Sequence, residues 1–134
     1  MKLKKILIMA TIILIICFGT IAQLDAEEAY NLNGEWKAFY NYDPVLTHKD
    51  GIKIIQQGNN FVGTIINGYE FVPKGSETIK GVLNKNEFKS LFIKGDIITG
   101  WIPATGEIDD KNNKVIMTTG PNTHGVTTSI VLTK

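Results

Sequence analysis

The chain has 134 residues and a formal net charge of +1, and all 14 of its basic residues are lysine. This length fits one small domain. A nearly balanced charge without arginine argues against nucleic acid as a partner, because phosphate and guanine recognition depends on a basic field and on bidentate arginine contacts.

The N-terminal segment has the order of an export signal. Three lysines within the first five residues precede residues 6–24, which carry no charge, and an acidic stretch follows. This basic, apolar, polar order is typical of a hydrophobic signal helix. We predict cleavage after Ala26, with Ala22 as the alternative site, so that residues 1–26 form the signal and residues 27–134 form a single domain.

A retained membrane anchor is the competing interpretation, because residues 6–24 are close in length to the roughly 17 to 25 residues that cross a bilayer. Cys17 does not match a bacterial lipobox, since Ile16 precedes it in place of a small residue. An exported domain without disulfides is more typical of a bacterial cell envelope than of disulfide-rich secreted modules. We therefore expect a secreted or periplasmic protein that contacts a membrane only through residues 6–24, if they are retained.

Beyond the signal, turn residues separate short runs that are rich in Ile, Val, Thr, Phe and Tyr, a composition typical of strands. The first run alternates, with Trp36, Ala38, Tyr40 and Tyr42 on one face, as in a strand with one side on a core. Residues 43–50 lack this character, and we predict a loop there that crosses one mouth of a barrel.

A predicted hairpin follows over residues 52–57 and 61–66, where Gly and Asn at the turn supply positive φ angles. Turn residues also stand at 103–106. About eight or nine strands joined to their neighbours describe a meander, and closure into a barrel removes both exposed edges. The predicted fold class is all-β, a small antiparallel barrel of about eight strands, with a two-sheet sandwich as the alternative. The remaining predicted strands lie at residues 69–72, 88–94, 97–102, 114–119 and 126–133.

Gly34 and Trp36 resemble the Gly-x-Trp first strand of lipocalin and wider calycin barrels, and residues 52–64 resemble strands two and three of small bacterial lipocalin-like and avidin-like barrels. In that family the Trp packs across the closed end of the barrel, paired with an Arg near the last strand. Only Lys114 or Lys134 is available here to replace that Arg. The residues of an avidin-type biotin site have no clear counterparts. The resemblance implies a lipocalin-like barrel whose interior commonly holds a small ligand.

Catalytic and metal signatures are weak in this sequence. Asp43, His48 and Asp50 lie close enough along the chain to suggest a metal site, but a solvated loop is the favoured interpretation. His124 stands in a turn, where we expect a surface histidine. The acidic residues at 107–110 lack the alternating oxygen ligands of a calcium loop. We therefore expect no enzyme activity, no metal and no cofactor.

Aromatic residues occur in nearly every predicted strand. We predict that Trp36, Tyr40, Phe61 and Trp101 point inward, where they either pack a core or line a pocket for a small apolar or amphipathic ligand. The leading hypothesis is therefore an exported ligand-binding barrel. The alternative is a protein–protein interaction module with a solid core, an inhibitor, effector or envelope partner whose contact includes residues 45–46. An enzyme is the third and least supported.

Overall fold

The computed structural model describes residues 29–70, 72–94 and 100–134. These form a closed antiparallel barrel of eight strands, each paired with its neighbour in sequence, and the first strand also pairs with the last. The predicted meander and its closure are confirmed, and the predicted signal segment lies outside the described residues. The strands are β1 Gly34–Asp43, β2 Leu46–Gln57, β3 Asn60–Ile65, β4 Glu77–Asn84, β5 Glu87–Lys94, β6 Trp101–Asp109, β7 Lys114–Thr119 and β8 Thr127–Thr133.

Period-two alternation places apolar side chains inside the barrel. Along β1, the predicted face of Trp36, Ala38, Tyr40 and Tyr42 is buried, and the intervening residues are more exposed. The last strand repeats this pattern. The described residues contain no helix with the length and hydropathy needed to cross a membrane.

The predicted loop at residues 43–50 is wrong, because this segment is a hairpin. Strand β1 continues to Asp43, and β2 begins at Leu46, which pairs with Tyr42. His48 and Asp50 then face Tyr40 and Ala38 in register. The segment contains mostly polar residues, and this composition hid an alternation in which Leu46, His48 and Asp50 are less exposed than their neighbours.

The predicted turn at residues 103–106 is also wrong, because β6 runs through it. Proline is tolerated in strands where no ladder hydrogen bond is needed from its nitrogen. Pro103 is the last β6 residue that pairs with β5, opposite Phe92. Gly106 lies beneath the ring of Phe88, where a Cβ atom would approach Cδ2 of that ring to 2.6 Å. Pro103 and Gly106 are therefore both compatible with a continuous strand at these positions.

One end of the barrel is closed by residues 29–33 and by Trp36. The Trp36 indole Nε1 donates to the Leu32 carbonyl at 2.8 Å, and Leu32 is fully buried. Lys134 Nζ lies 4.7 Å from the centre of the Trp36 ring and donates to the Asn33 carbonyl. Of the two lysines considered in the sequence, Lys134 is therefore the one that contacts the Trp36 ring. The opposite end, where the β1–β2 hairpin projects, is called the mouth below.

Candidate functional site

Buried polar side chains collect at the mouth. Among the described residues, the buried polar ones are Thr78, Thr119 and Thr128, and all three lie at strand ends that face the mouth. The Tyr40 hydroxyl and Thr78 Oγ1 are hydrogen-bonded at 3.2 Å, and the Thr128 backbone N–H donates to Thr119 Oγ1 at 3.0 Å. Buried polar groups normally have such partners, because an unpaired one is costly. These threonines therefore form a polar layer over the apolar core at the mouth.

Asp50 joins β2 to the segment that follows β3. Its carboxylate accepts hydrogen bonds from the backbone N–H groups of Gly51, Asn67 and Gly68, at 2.7, 2.9 and 3.0 Å. Its Oδ2 also lies 2.8 Å from His48 Nε2, and the Asp50 side chain is inaccessible to solvent. Burial acts to raise the pKa of Asp50, but the hydrogen bonds from Asn67, His48, Gly51 and Gly68 outweigh it, so the pKa lies below its ordinary value. Asp50 is therefore an ionised anchor for the mouth.

Four aromatic side chains lie near Asp50, and each ring contacts the next so that the contacts form a closed circuit. The ring of His48 lies 4.4 Å from that of Tyr69, and Tyr69 lies 5.9 Å from Tyr42. Tyr42 stacks on Tyr40 at 6.0 Å, and Tyr40 lies 6.3 Å from His48. These distances fall in the range of favourable ring pairs. We call Tyr40, Tyr42, His48 and Tyr69 the mouth cluster.

The mouth cluster has an inner and an outer part. Tyr40 and Tyr42 are buried, and burial raises the pKa of the Tyr40 phenol above its ordinary value, opposed by the Thr78 hydrogen bond and assisted by the charge of Asp50. The side chain of His48 keeps 24% of its surface exposed, and Tyr69 is half-buried. A molecule that reaches the mouth would therefore meet the imidazole and the phenol ring of the outer part first.

Three of the four aromatic residues predicted as a lining are packed together in the core. Trp36 and Phe61 are 2% exposed and Tyr40 is fully buried. At this exposure each side chain is in contact on nearly all sides, so these three do not form the wall of an open cavity. Phe61 meets Phe88 edge-to-face at 5.7 Å, as in an ordinary core.

Trp101 lies apart from Trp36, Tyr40 and Phe61. It alternates along β6 with residues that point inward and shares its side of the strand with the exposed Pro103. Lys80 Nζ lies 4.3 Å from the centre of the Trp101 ring, and Lys94 Nζ lies 5.9 Å from it. Trp101 is thus a half-buried residue of the outer wall in cation–π contact with two lysines.

From the sequence, His48 and Asp50 are predicted only as possible metal ligands in a loop, and no sequence pattern points to Tyr69 or the three threonines. The sequence does contain the signal that would have found the first two, since Leu46, His48 and Asp50 alternate with Thr47 and Lys49. Asp43 does not join them, because it is exposed at the end of β1. Within residues 29–70, 72–94 and 100–134, no three His, Cys, Asp or Glu side chains are grouped closely enough to hold a metal ion. His124 lies exposed in its turn, as predicted.

The mouth therefore offers hydroxyl, imidazole and carboxylate groups beside aromatic surface, an arrangement suited to binding a molecule with one polar and one apolar part. Comparison of the chain with protein-family models, curated proteins and solved structures finds no match.

Proposed function

We propose that this chain is an exported, lipocalin-like barrel that binds a small apolar or amphipathic molecule at its mouth. One observation carries the proposal: the buried polar side chains converge at one end of the barrel, directly beneath two partly exposed rings. Ligand sites commonly combine apolar and aromatic surface with a few convergent polar groups. The kinship with lipocalins is supported by Gly34, Trp36 and the contact between Trp36 and Lys134.

Because the core is filled by side chains, a ligand of this kind would bind outside it. Since Trp36, Tyr40 and Phe61 have almost no exposed surface, a ligand would rest on the mouth cluster and would not descend into the barrel. His48 and Tyr69 would contact its apolar part, and the half-buried Leu46 and Val126 extend the same surface. The fixed carboxylate of Asp50 would hold His48 in one orientation for a polar head group.

The proposed role is binding without catalysis and without a cofactor. Export to the envelope or the medium follows from residues 6–24, and contact with a membrane is proposed only through that segment, if it is retained. Nucleic acid is not a proposed partner.

Two measurements on the protein purified from exporting cells test this function. Native mass spectrometry should show a bound small molecule, and NMR titration with laurate or dodecylamine should shift backbone amides near the mouth, such as those of Gly68 and Thr128. Tyr69→Ala should abolish both effects. Phe39→Ala, at a partly exposed position on the outer wall, should leave them unchanged. No binding of either probe and no co-purified molecule, or equal binding by both variants, would refute the proposal.

A protein–protein interaction module with a solid core is the second candidate. It is favoured by the packed interior and by Val45, which is 61% exposed at the tip of the β1–β2 hairpin. A photo-crosslinking amino acid at position 45 should then capture a specific protein in producing cells, and one at Gly58, in an open turn at the other end of the barrel, should not. Equal capture at both positions would count against this candidate.

A further inference from the structure

The buried charge of Asp50 has no lysine beside it. Its carboxylate accepts hydrogen bonds from three backbone N–H groups and from the Asn67 side-chain amide at 3.2 Å, and its other neighbour is His48 Nε2. Apart from His48, none of the described residues that contact this carboxylate has a side chain that can become positive. Neutral donors stabilise the ionised carboxylate but leave its negative charge in place. The mouth cluster therefore lies in the field of a fixed anion.

This field reaches the aromatic rings. Burial raises the pKa of the Tyr40 phenol, and the charge of Asp50 raises it further. Ring faces also carry partial negative charge, so they attract cations and repel anions. The rings of His48 and Tyr69 lie 4.4 Å apart and are both partly exposed, whereas Asp50 is buried behind His48. A cation resting on the outer two rings would therefore be attracted by the rings and by the carboxylate.

The backbone donors at the mouth are already used. The N–H groups of Gly51, Asn67 and Gly68 converge on one carboxylate, and convergent N–H groups of this kind are a common way to bind an anion. Since Asp50 accepts from all three, they are not available to the carboxylate or phosphate of a ligand. An anionic head group would have to compete with Asp50 for them.

The rim of the mouth adds little positive charge. Lys49 alternates with His48 and Asp50 and points to the outer wall, and Lys94 lies against the ring of Trp101. Lys74 is exposed in the segment after β3, and His124 is exposed in the turn before β8. The exposed acidic residues among those described at this end are Asp43, Glu70 and Glu77. The described rim therefore does not offset the charge of Asp50.

We propose that the polar head of the mouth ligand is a cation, an amine or quaternary ammonium group carried on an apolar chain. This inference rests on the proposed binding function and adds the charge of the head group. The head would lie against His48 and Tyr69, and the chain would follow Leu46 and Val126. An anionic amphiphile of the same length would make the same apolar contacts but would be repelled by Asp50 and by the ring faces.

The test compares two probes with twelve-carbon chains, dodecyltrimethylammonium and laurate, each below its micelle concentration. Both are titrated into the ¹⁵N-labelled protein from exporting cells, and the amide shifts of Gly68 and Thr128 give the two dissociation constants. The ammonium probe should bind at least about tenfold more tightly, from one ring contact and one charge interaction. Added salt should reduce this preference, because it screens the charges.

Charge-removing variants identify the source of the preference. Asp50→Asn keeps the shape of the side chain and should reduce the ratio of the two constants by about threefold or more. Asp43→Asn combined with Glu70→Gln removes only exposed charge at the rim, so folding is not at risk, and should reduce the ratio by about twofold. Glu35→Gln combined with Glu107→Gln makes the same change in net charge at exposed positions toward the closed end and should leave the ratio unchanged.

A well-dispersed NMR spectrum of each variant verifies folding, and the rim variant decides the matter if Asp50→Asn does not fold. Equal or tighter binding of laurate would overturn the inference and leave the proposed binding function standing. An equal fall of the ratio in the rim variant and its control, or a ratio that no variant changes, would also overturn it. Binding of neither probe, with no co-purified molecule, would refute the binding function and this inference together.

Discussion

Removal of the Asp50 carboxylate should strongly destabilise the barrel. In Asp50→Ala, the backbone N–H groups of Gly51, Asn67 and Gly68 lose their acceptor, and so does His48. At about 1 kcal/mol for each of the three backbone donors, the free energy of unfolding should fall by about 3 kcal/mol. Because the side chain is inaccessible to solvent, water does not replace these bonds without rearrangement of the mouth.

The same residue should contribute to the pH dependence of stability. The pKa of Asp50 in the folded protein lies below its ordinary value of 3.8. The contribution of the ionised group is therefore fully present above its unfolded pKa and is lost as the pH falls through the folded pKa. The difference in unfolding free energy between the wild type and Asp50→Ala should be constant near neutral pH and should shrink once the pH drops below about 4.

Urea titrations followed by tryptophan fluorescence at a series of pH values measure both effects. Asp50→Asn is the matched control, since it keeps one acceptor oxygen and the side-chain volume, and it should lose less stability than Asp50→Ala. In Asp50→Ala, amide hydrogen exchange should accelerate first in residues 66–70. A loss of less than about 1 kcal/mol in Asp50→Ala, or a difference that does not depend on pH, would refute the assigned role.

Gly81→Ala should cost about 3 kcal/mol, because its Cβ would lie 2.2 Å from a backbone carbonyl oxygen of β5; Gly120→Ala, where a Cβ meets open space and φ is not positive, should change stability by no more than about 0.5 kcal/mol, and equal losses in urea titrations would contradict the packing argument. A double-mutant cycle of Lys134→Met and Trp36→Leu, which removes the aromatic face, should give a coupling energy of about 0.5–1 kcal/mol, and additive losses would show that the cation–π contact does not stabilise the closed end. Mass spectrometry of the exported protein should find a chain that starts after Ala26, and a mass that includes residue 1 would instead identify a retained anchor.

Much of the wall could be predicted because strand faces are a local property. The alternation of Trp36, Ala38, Tyr40 and Tyr42 predicted the buried face of β1, and the same rule held in β8. Gly34, Trp36 and a lysine near the C-terminus predicted the closed end by resemblance, and the contact of Lys134 with the indole ring agrees with it.

The predictions of a loop at residues 43–50 and a turn at residues 103–106 were wrong for the same reason. Proline, glycine and polar residues favour turns in isolation, so composition alone indicated loops. In the barrel each segment has a partner strand that supplies its hydrogen bonds, β1 for the first and β7 for the second. The preference of a few residues was outweighed by pairing with residues that the local pattern does not reveal.

By itself, the sequence determined an all-β meander and the inner face of its clearest strands, because each depends on neighbours within a few positions. Only the tertiary structure decided that Trp101 lies on the outer wall, that Asp50 holds the N–H groups of Asn67 and Gly68, and that Lys94 of β5 pairs with Trp101 of β6. These features depend on the register between strands and on barrel closure, which bring together residues far apart in the chain, and alternation along a single strand carries no information about that register.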